Sequence, residues 1–217
     1  MNEPLERDRA RPPLPPHFSL VRSFTAADFI TLLNAVSGIS SIFASFEHAI
    51  SGRASFAWAA AALVVLAAVA DFFDGRVARK SSRSSPLGAD LDSLADLISF
   101  GVAPACLAFA LGMSGGWDWV ALAYFVCCGL SRLARYNVTA SELSDQTGKV
   151  LYFEGTPIPT SMILVVGLAV LLGADRVHEY LPGGHLELGP ATLHPLVLFY
   201  LVSGSAMISA RLRVPKP

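Results

Sequence analysis

The sequence predicts an all-α polytopic membrane protein with six transmembrane helices. Hydrophobic residues make up 53% of the 217 residues and charged residues only 15%, and the mean hydropathy is +0.52. A soluble domain of this size needs a smaller apolar fraction to build its core. The net charge is only −1, so the overall charge indicates no nucleic acid partner, and the expected environment is the lipid bilayer.

Six stretches are apolar over about the 20 residues that a helix needs to cross a bilayer. They are residues 26–48, 54–74, 92–112, 118–136, 157–174 and 194–211. We therefore expect one transmembrane domain over residues 26–211, between tails of residues 1–25 and 212–217. The first tail is rich in Arg and Pro and has no apolar signal-peptide core, so it is predicted to stay attached, with its end, HFSLVRSF, along the membrane interface.

Basic residues concentrate on one side of the predicted membrane domain. Fourteen of the 16 Lys and Arg residues lie in the first tail, in residues 211–217, in the loop of residues 75–91 and in residues 132–156, whereas the opposite loops hold two. Cytoplasmic loops of membrane proteins carry such an excess. Both termini, the 75–91 loop and the 137–156 loop are therefore expected on the cytoplasmic face of the cell membrane. The opposite loop, residues 175–193, is predicted to be a solvated connection.

The three cysteines, Cys106, Cys127 and Cys128, lie in apolar stretches without CxxC or His-paired spacing. This pattern argues against a disulfide framework and against a zinc site. We expect them to act as small packing residues.

The stretch DFFDGRVARKSSRSSPLGADLDSLAD, residues 71–96, interrupts the apolar pattern. Asp71 and Asp74 are three positions apart at the end of the second span, and Asp92 and Asp96 are four apart at the start of the third, so each pair shares a helix face. Carboxylates packed at membrane depth repel one another unless cations neutralise them. Mg²⁺ or Mn²⁺ would suit their oxygen ligands. The alternative is a solvated acidic loop, or pairing with Arg76, Arg79, Lys80 and Arg83.

Small residues and one arginine accompany the aspartates. Gly75 and Gly88 remove side chains where a ligand or a backbone must come close. Ala78 keeps the helix face small, and Arg79 offers a planar fork that suits phosphate oxygens.

These eight positions fit the pattern D-x2-D-G-x2-A-R-x8-G-x3-D-x3-D, which resembles the signature of the CDP-alcohol phosphatidyltransferase family. The six predicted spans are similar to the family's architecture, so the resemblance covers nearly the whole chain. It implies an enzyme that moves a substituted phosphate from a CDP-activated lipid to a hydroxyl group and releases CMP. Paired metal ions serve such chemistry by neutralising the transferred and leaving oxygens.

The resemblance also implies roles for individual residues. Two divalent ions, Mg²⁺ or Mn²⁺, would be held by Asp71, Asp74, Asp92 and Asp96. The CDP moiety would be contacted by Gly75, Ala78, Arg79 and Gly88. Asp96 would be the general base that accepts the proton of the attacking hydroxyl, and a homodimer is expected.

Asn34, in TLLNAVSG within the first span, carries an amide that is costly in a membrane without a partner. Two explanations are open. Either the amide forms a hydrogen bond to a neighbouring helix, or it reads the nucleotide, as a similarly placed Asn does in relatives.

Three further stretches bear on the acceptor alcohol: LDSLADLISFGVAPA at 91–105, SRLARYNV at 131–138 and FEGTPIPTSM at 153–162. Together they resemble the membrane-embedded phosphatidylserine synthase branch of the family more than the glycerophosphate or inositol-phosphate enzymes. This implies CDP-diacylglycerol and L-serine as substrates. Arg132 and Arg135 are the cations available for serine or for a lipid phosphate, or else they anchor the helix on the positive side.

Two other functions remain open from the sequence. One keeps the chemistry but uses inositol phosphate or glycerol phosphate as acceptor, or an archaeal-type CDP-lipid as donor. The other is a cation transporter whose pathway uses the four aspartates, although transporters usually place such charges near the bilayer midplane, on broken helices.

Overall fold

The structure, a computed structural model, describes residues 26–80, 86–144, 152–209 and 213–215, with side chains over residues 28–76, 88–139 and 155–209. The predicted N-terminal tail and its HFSLVRSF segment lie outside these residues.

The described chain is mostly helical. The helices are α1 (Ala26–Ser51), α2 (Ala54–Lys80), α3 (Pro86–Asp96), α4 (Ala103–Ala110), α5 (Gly116–Ser144), α6 (Met162–Gly173) and α7 (Leu198–Ile208). A π-helical segment, Leu97–Val102, joins α3 to α4, so these three form one continuous unit. Short 3₁₀ turns lie at Ile158–Ser161, His178–Tyr180 and Pro195–Val197.

Two pairs of short antiparallel strands connect the helices. Strand β1 (Tyr152–Glu154) pairs with β4 (Arg213–Pro215), and β2 (Leu186–Leu188) pairs with β3 (Ala191–Leu193). The second pair is a hairpin inside the segment that we predicted to be a solvated connection. That segment therefore contains regular structure.

Three helical stretches in the described part of the chain are long and apolar enough to cross a membrane: Asp28–Ser51, Ala54–Arg76 and Gly88–Ala110. Helix α5 has 29 residues, but Asp118, Arg132 and Arg135 lower its mean hydropathy. The two remaining apolar stretches, Ile158–Gly173 and Pro195–Ile208, are shorter. The prediction of a helical membrane protein is therefore confirmed, whereas only three of the six predicted spans are supported by length and hydropathy.

Helices α1 and α2 pack along much of their length, and α1 also contacts α3, α4 and the π-helical segment. Small side chains allow this close approach, since Ala57 and Ala60 are fully buried and Ser41 Oγ donates a hydrogen bond to the Ala60 carbonyl at 2.9 Å. Across the molecule α5 packs on α7. The Tyr200 hydroxyl of α7 donates to the Pro104 carbonyl of α4 at 3.1 Å. All three cysteines are free.

Large apolar side chains also line the outer surface of the helices. On α1, Phe29, Val36, Phe43 and Ile50 recur every seven residues and are all exposed, Ile50 by 82%. Such a continuous exposed apolar surface is unusual for a soluble protein. It is the surface that a bilayer would cover.

The π-helical segment begins directly after Asp96. Within it the Ala103 N–H donates to the Ile98 carbonyl, five residues earlier. Pro104 follows, and it has no N–H to continue the α-helical pattern. Single π turns inside helices often lie at functional sites.

Asp118 holds the opposite end of the helices together. This fully buried carboxylate accepts hydrogen bonds from the backbone N–H groups of Gly115 and His194, each at 2.8 Å. It also pairs with the His194 ring at 2.5 Å. The segment after β3 is thereby tied to the start of α5.

The turn before α6 lies close to the end of α7. Gly155 has a φ of +76°, and a Cβ added there would collide with the Met207 carbonyl. Glycine is suited to both conditions. Together with the β1–β4 pairing, this contact joins the entry of α6 to the chain that follows α7.

Candidate active site

Helices α2 and α3 bring three of the predicted carboxylates together. One oxygen each from Asp71, Asp74 and Asp92 lies within 4.8 Å of the other two. Asp74 is buried, and Asp71 and Asp92 are half-buried. The three- and four-residue spacings predicted that carboxylates of two helices would face each other. Such a cluster is present between the end of α2 and α3.

Asp96 lies beside this cluster, but it is not one of its three members. It is one helical turn beyond Asp92, 8% exposed, and near enough to Asp71 and Asp92 to interact with them electrostatically. Its Oδ1 accepts a hydrogen bond from the Asn34 amide nitrogen at 3.2 Å. Asp96 thus shares the region of the cluster while its hydrogen-bond partner comes from α1.

Helix α1 supplies a second donor that the sequence analysis missed. The Thr31 hydroxyl donates to Asp74 Oδ2 at 3.0 Å. Thr31, Asn34, Ser37 and Ser41 are all buried and recur every three or four residues. That polar periodicity within an apolar span was the available indication that one face of α1 lies against polar groups.

The carboxylate cluster has the properties of a divalent metal site. Asp92 Oδ1 is buried and has no hydrogen-bond partner. Among the described residues no Lys or Arg forms an ion pair with the three carboxylates, and Arg76 instead lies over the Phe72 ring, 4.1 Å from its centroid. Closely spaced anionic oxygens without a neutralising side chain fit a hard cation such as Mg²⁺ or Mn²⁺.

The positions predicted to contact CDP are only partly described. Among the described residues, no atom lies within 4 Å of a Cβ added to Gly75, so this position borders open space there. Gly88 is half-buried in α3. The side chains of Ala78 and Arg79 lie outside the described residues, and their contacts stay a prediction.

The two arginines of α5 have different surroundings. The Arg132 Nε is buried without a hydrogen-bond partner, and the guanidinium interacts electrostatically with Asp96. The exposed Arg135 instead donates from Nη2 to the Ile208 carbonyl at 3.4 Å. Arg132 is therefore associated with the carboxylate region through its interaction with Asp96.

A further polar contact ties α3 to α5. The Ser93 hydroxyl donates to Asn137 Oδ1 at 3.0 Å, and the Asn137 amide nitrogen donates to Asp90 Oδ1 at 3.3 Å. We did not predict this network, because neither Asp90 nor Ser93 belongs to the spaced aspartate pattern. It fixes α5 against the helix that carries Asp92 and Asp96.

Sequence comparisons agree with the geometry of the site. A CDP-diacylglycerol–serine O-phosphatidyltransferase of Saccharomyces cerevisiae is 44% identical over 204 residues, which cover 93% of this chain and 74% of the yeast protein. A protein of the same description from Methanocaldococcus jannaschii is 32% identical over 164 residues, with 76% and 70% covered. One from Mycobacterium leprae is 36% identical over 143 residues, with 65% of this chain but only 45% of that protein covered.

The family model described as CDP-alcohol phosphatidyltransferase matches residues 24–202. This range contains the four aspartates, Asn34 and both arginines of α5. Because the match extends over most of the chain and includes the whole carboxylate cluster, this chain belongs to the CDP-alcohol phosphatidyltransferase family.

Proposed function

We propose that this protein transfers the phosphatidyl group of CDP-diacylglycerol to the hydroxyl of L-serine and so forms phosphatidylserine and CMP. The observation that carries the proposal is the carboxylate cluster of Asp71, Asp74 and Asp92, with Asp96 beside it. The yeast, archaeal and mycobacterial relatives that bear the serine transferase description support serine as the acceptor.

The reaction is a displacement at phosphorus. The serine hydroxyl oxygen forms a bond to the phosphorus that carries the diacylglycerol, and the bond from this phosphorus to the CMP oxygen breaks. The proton of the hydroxyl passes to a carboxylate of the protein, and CMP leaves with the electron pair. For such a transfer the protein has chiefly to position groups and stabilise charge.

The four aspartates are proposed to hold two divalent ions, Mg²⁺ or Mn²⁺. When bound, such ions neutralise negative charge on the transferred phosphate and on the leaving group. The buried and unpartnered Asp92 Oδ1, with the hydrogen bond that orients Asp74, supports Asp74 and Asp92 as ligands.

Asp96 is the proposed general base. It lies beside the cluster, is nearly buried, and is oriented by the amide of Asn34. A base must reach the proton that it accepts, and a position next to the carboxylates that are proposed to hold the metal ions meets that requirement.

The remaining substrate contacts follow from the family resemblance and the local geometry. The CDP moiety would lie over Gly75, Ala78, Arg79 and Gly88, and the open space at Gly75 supports this placement. For the serine carboxylate or the lipid phosphate, Arg132 is the stronger candidate of the two arginines, because its Nε is buried without a hydrogen-bond partner near Asp96.

The proposed topology has six crossings, a membrane domain over residues 26–211, and cytoplasmic tails of residues 1–25 and 212–217. Each of the six predicted stretches carries helix in the structure, and the distribution of Lys and Arg supports a cytoplasmic site in the cell membrane. The family resemblance further suggests a homodimer.

Incubation with CDP-diacylglycerol and one alcohol at a time tests the function. We expect the purified protein to release CMP with L-serine, and not with inositol phosphate or glycerol phosphate, in a detergent or vesicle assay that quantifies CMP. Release with another alcohol but not with serine would overturn the proposed acceptor and leave the transfer chemistry intact. Absence of release with every alcohol would contradict the transferase function.

Removal of divalent ions tests the metal requirement. Excess EDTA is expected to abolish CMP release, and added Mg²⁺ or Mn²⁺ to restore it, because the clustered carboxylates otherwise repel the phosphates of the substrate. Isothermal titration of the metal-free protein gives a readout independent of activity. Undiminished turnover in metal-free buffer would rule the requirement out.

Substitutions of two aspartates separate the role of Asp96 as base from the binding of metal. At saturating metal, Asp96→Asn should lower kcat by roughly 10²–10⁴-fold, since an amide of similar shape cannot accept the proton. Asp71→Asn should instead raise the metal concentration needed for half-maximal activity. If Asp96→Asn kept turnover near that of the wild type while Asp71→Asn did not, Asp92 would become the next candidate for the base.

Cysteine labelling tests the topology. In a background in which Cys106, Cys127 and Cys128 are replaced, a membrane-impermeant thiol reagent applied outside intact cells should label Glu187→Cys. It should not label Ser84→Cys until the membrane is opened, because the two positions are proposed to lie on opposite faces. The reverse labelling pattern would invert the proposed orientation.

A further inference from the structure

We infer that Asn34 is a positioning residue that holds Asp96 in the orientation needed to accept the proton of the attacking hydroxyl. The inference rests on the proposed function, in which Asp96 is the base. It assigns the amide of Asn34 to the carboxylate rather than to the nucleotide.

The contact joins two buried side chains on different helices. Asn34 on α1 is fully buried, and Asp96 at the end of α3 is 8% exposed. The Asn34 amide nitrogen donates to Asp96 Oδ1 at 3.2 Å. In the described part of the chain this is the one hydrogen bond to the Asp96 carboxylate, so it is the contact through which α1 orients that carboxylate.

Asn34 is itself held by the segment that it orients. The Ser99 hydroxyl, in the π-helical segment, donates to the Asn34 backbone carbonyl at 3.0 Å. Ser99 is three residues after Asp96. The turn from the end of α3 into the π-helical segment therefore contacts both the side chain and the main chain of Asn34. Gly38 makes this possible, because a Cβ there would collide with Ser99 Oγ.

The Asn34 amide carries an energetic cost that packing alone does not explain. Asn34 Oδ1 is buried without a hydrogen-bond partner, and an unsatisfied polar atom is unfavourable in a protein interior and more so in a membrane helix. A leucine of similar size would avoid this cost at the helix contact. We therefore assign the functional role of Asn34 to its amide nitrogen, which donates to Asp96.

Kinetics of Asn34→Ala in the full-length protein test the inference. We expect kcat to fall by about 10- to 100-fold with little change in the KM for CDP-diacylglycerol, since a misplacement of about 1 Å at a reacting group can cost 10²-fold. The acceptor used is the alcohol with which the wild type releases CMP, so a wrong acceptor assignment would not affect the comparison.

A double-mutant cycle with Asp96→Asn distinguishes positioning from an independent role. If Asn34 acts through Asp96, adding Asn34→Ala to Asp96→Asn should lower kcat by less than threefold beyond the single Asp96 variant, because interacting residues are not additive. Multiplicative losses would overturn the inference.

The matched control is Ser41→Ala. Ser41 lies on the same buried face of α1 and also donates one interhelical hydrogen bond, so its loss should affect stability in a similar way and leave kcat unchanged. If Asn34→Ala does not fold, Ser99→Ala serves instead: by freeing the Asn34 backbone it should lower kcat, by a smaller factor, at unchanged KM.

Besides multiplicative losses in the double-mutant cycle, two results would contradict the inference while the wild type is active. A higher KM for CDP-diacylglycerol at unchanged kcat in Asn34→Ala would assign Asn34 to the nucleotide. An equal loss of kcat in Ser41→Ala would show that the fall of kcat in Asn34→Ala comes from a general loss of helix packing. Failure of the wild type to release CMP with any alcohol would instead contradict the proposed function.

Discussion

The repulsion among carboxylates at one end of an apolar helix bundle is the constraint on which the rest of the structure depends. Asp71, Asp74 and Asp92 lie close together, and such an arrangement is unfavourable where the dielectric constant is low. The packing of α1 against α2 and against α3, the π-helical segment and α4 holds these groups close together despite their repulsion. The cluster is therefore held by contacts made elsewhere along the helices, together with hydrogen bonds such as the one that Thr31 donates to Asp74.

Helix α1 meets this constraint with two different faces. Its outer face carries large apolar side chains such as Phe43 and Ile50, whereas its inner face carries small polar ones. Thr31 and Asn34 donate to carboxylates on two different helices, and Ser41 bonds to the backbone of α2. One helix without an acidic ligand of its own thus orients the acidic groups of its neighbours.

The closeness of Asp71, Asp74 and Asp92 could be predicted because the spacing of the aspartates is local: three or four residues on one helix define a shared face. The partners of these groups could not be predicted in the same way. Which residues of α1 and α5 meet Asp74 or Asp90 depends on the register between helices, and no periodicity within one helix specifies it. Six spans were expected from apolar stretches alone, yet α5 carries charges and α6 and α7 are short. The β2–β3 hairpin was missed because strands of three residues are too short for an alternating pattern.

The pairing of β1 with β4 has a practical consequence for experiments on this protein. Residues 213–215 form β4, whose partner β1 precedes the turn into α6. Gly155 in that turn packs directly on the Met207 carbonyl. A purification tag or fluorescent reporter joined immediately after β4 would disturb the turn before α6 as well as β4 itself. A flexible spacer, rather than a direct fusion, is the arrangement that leaves this contact undisturbed.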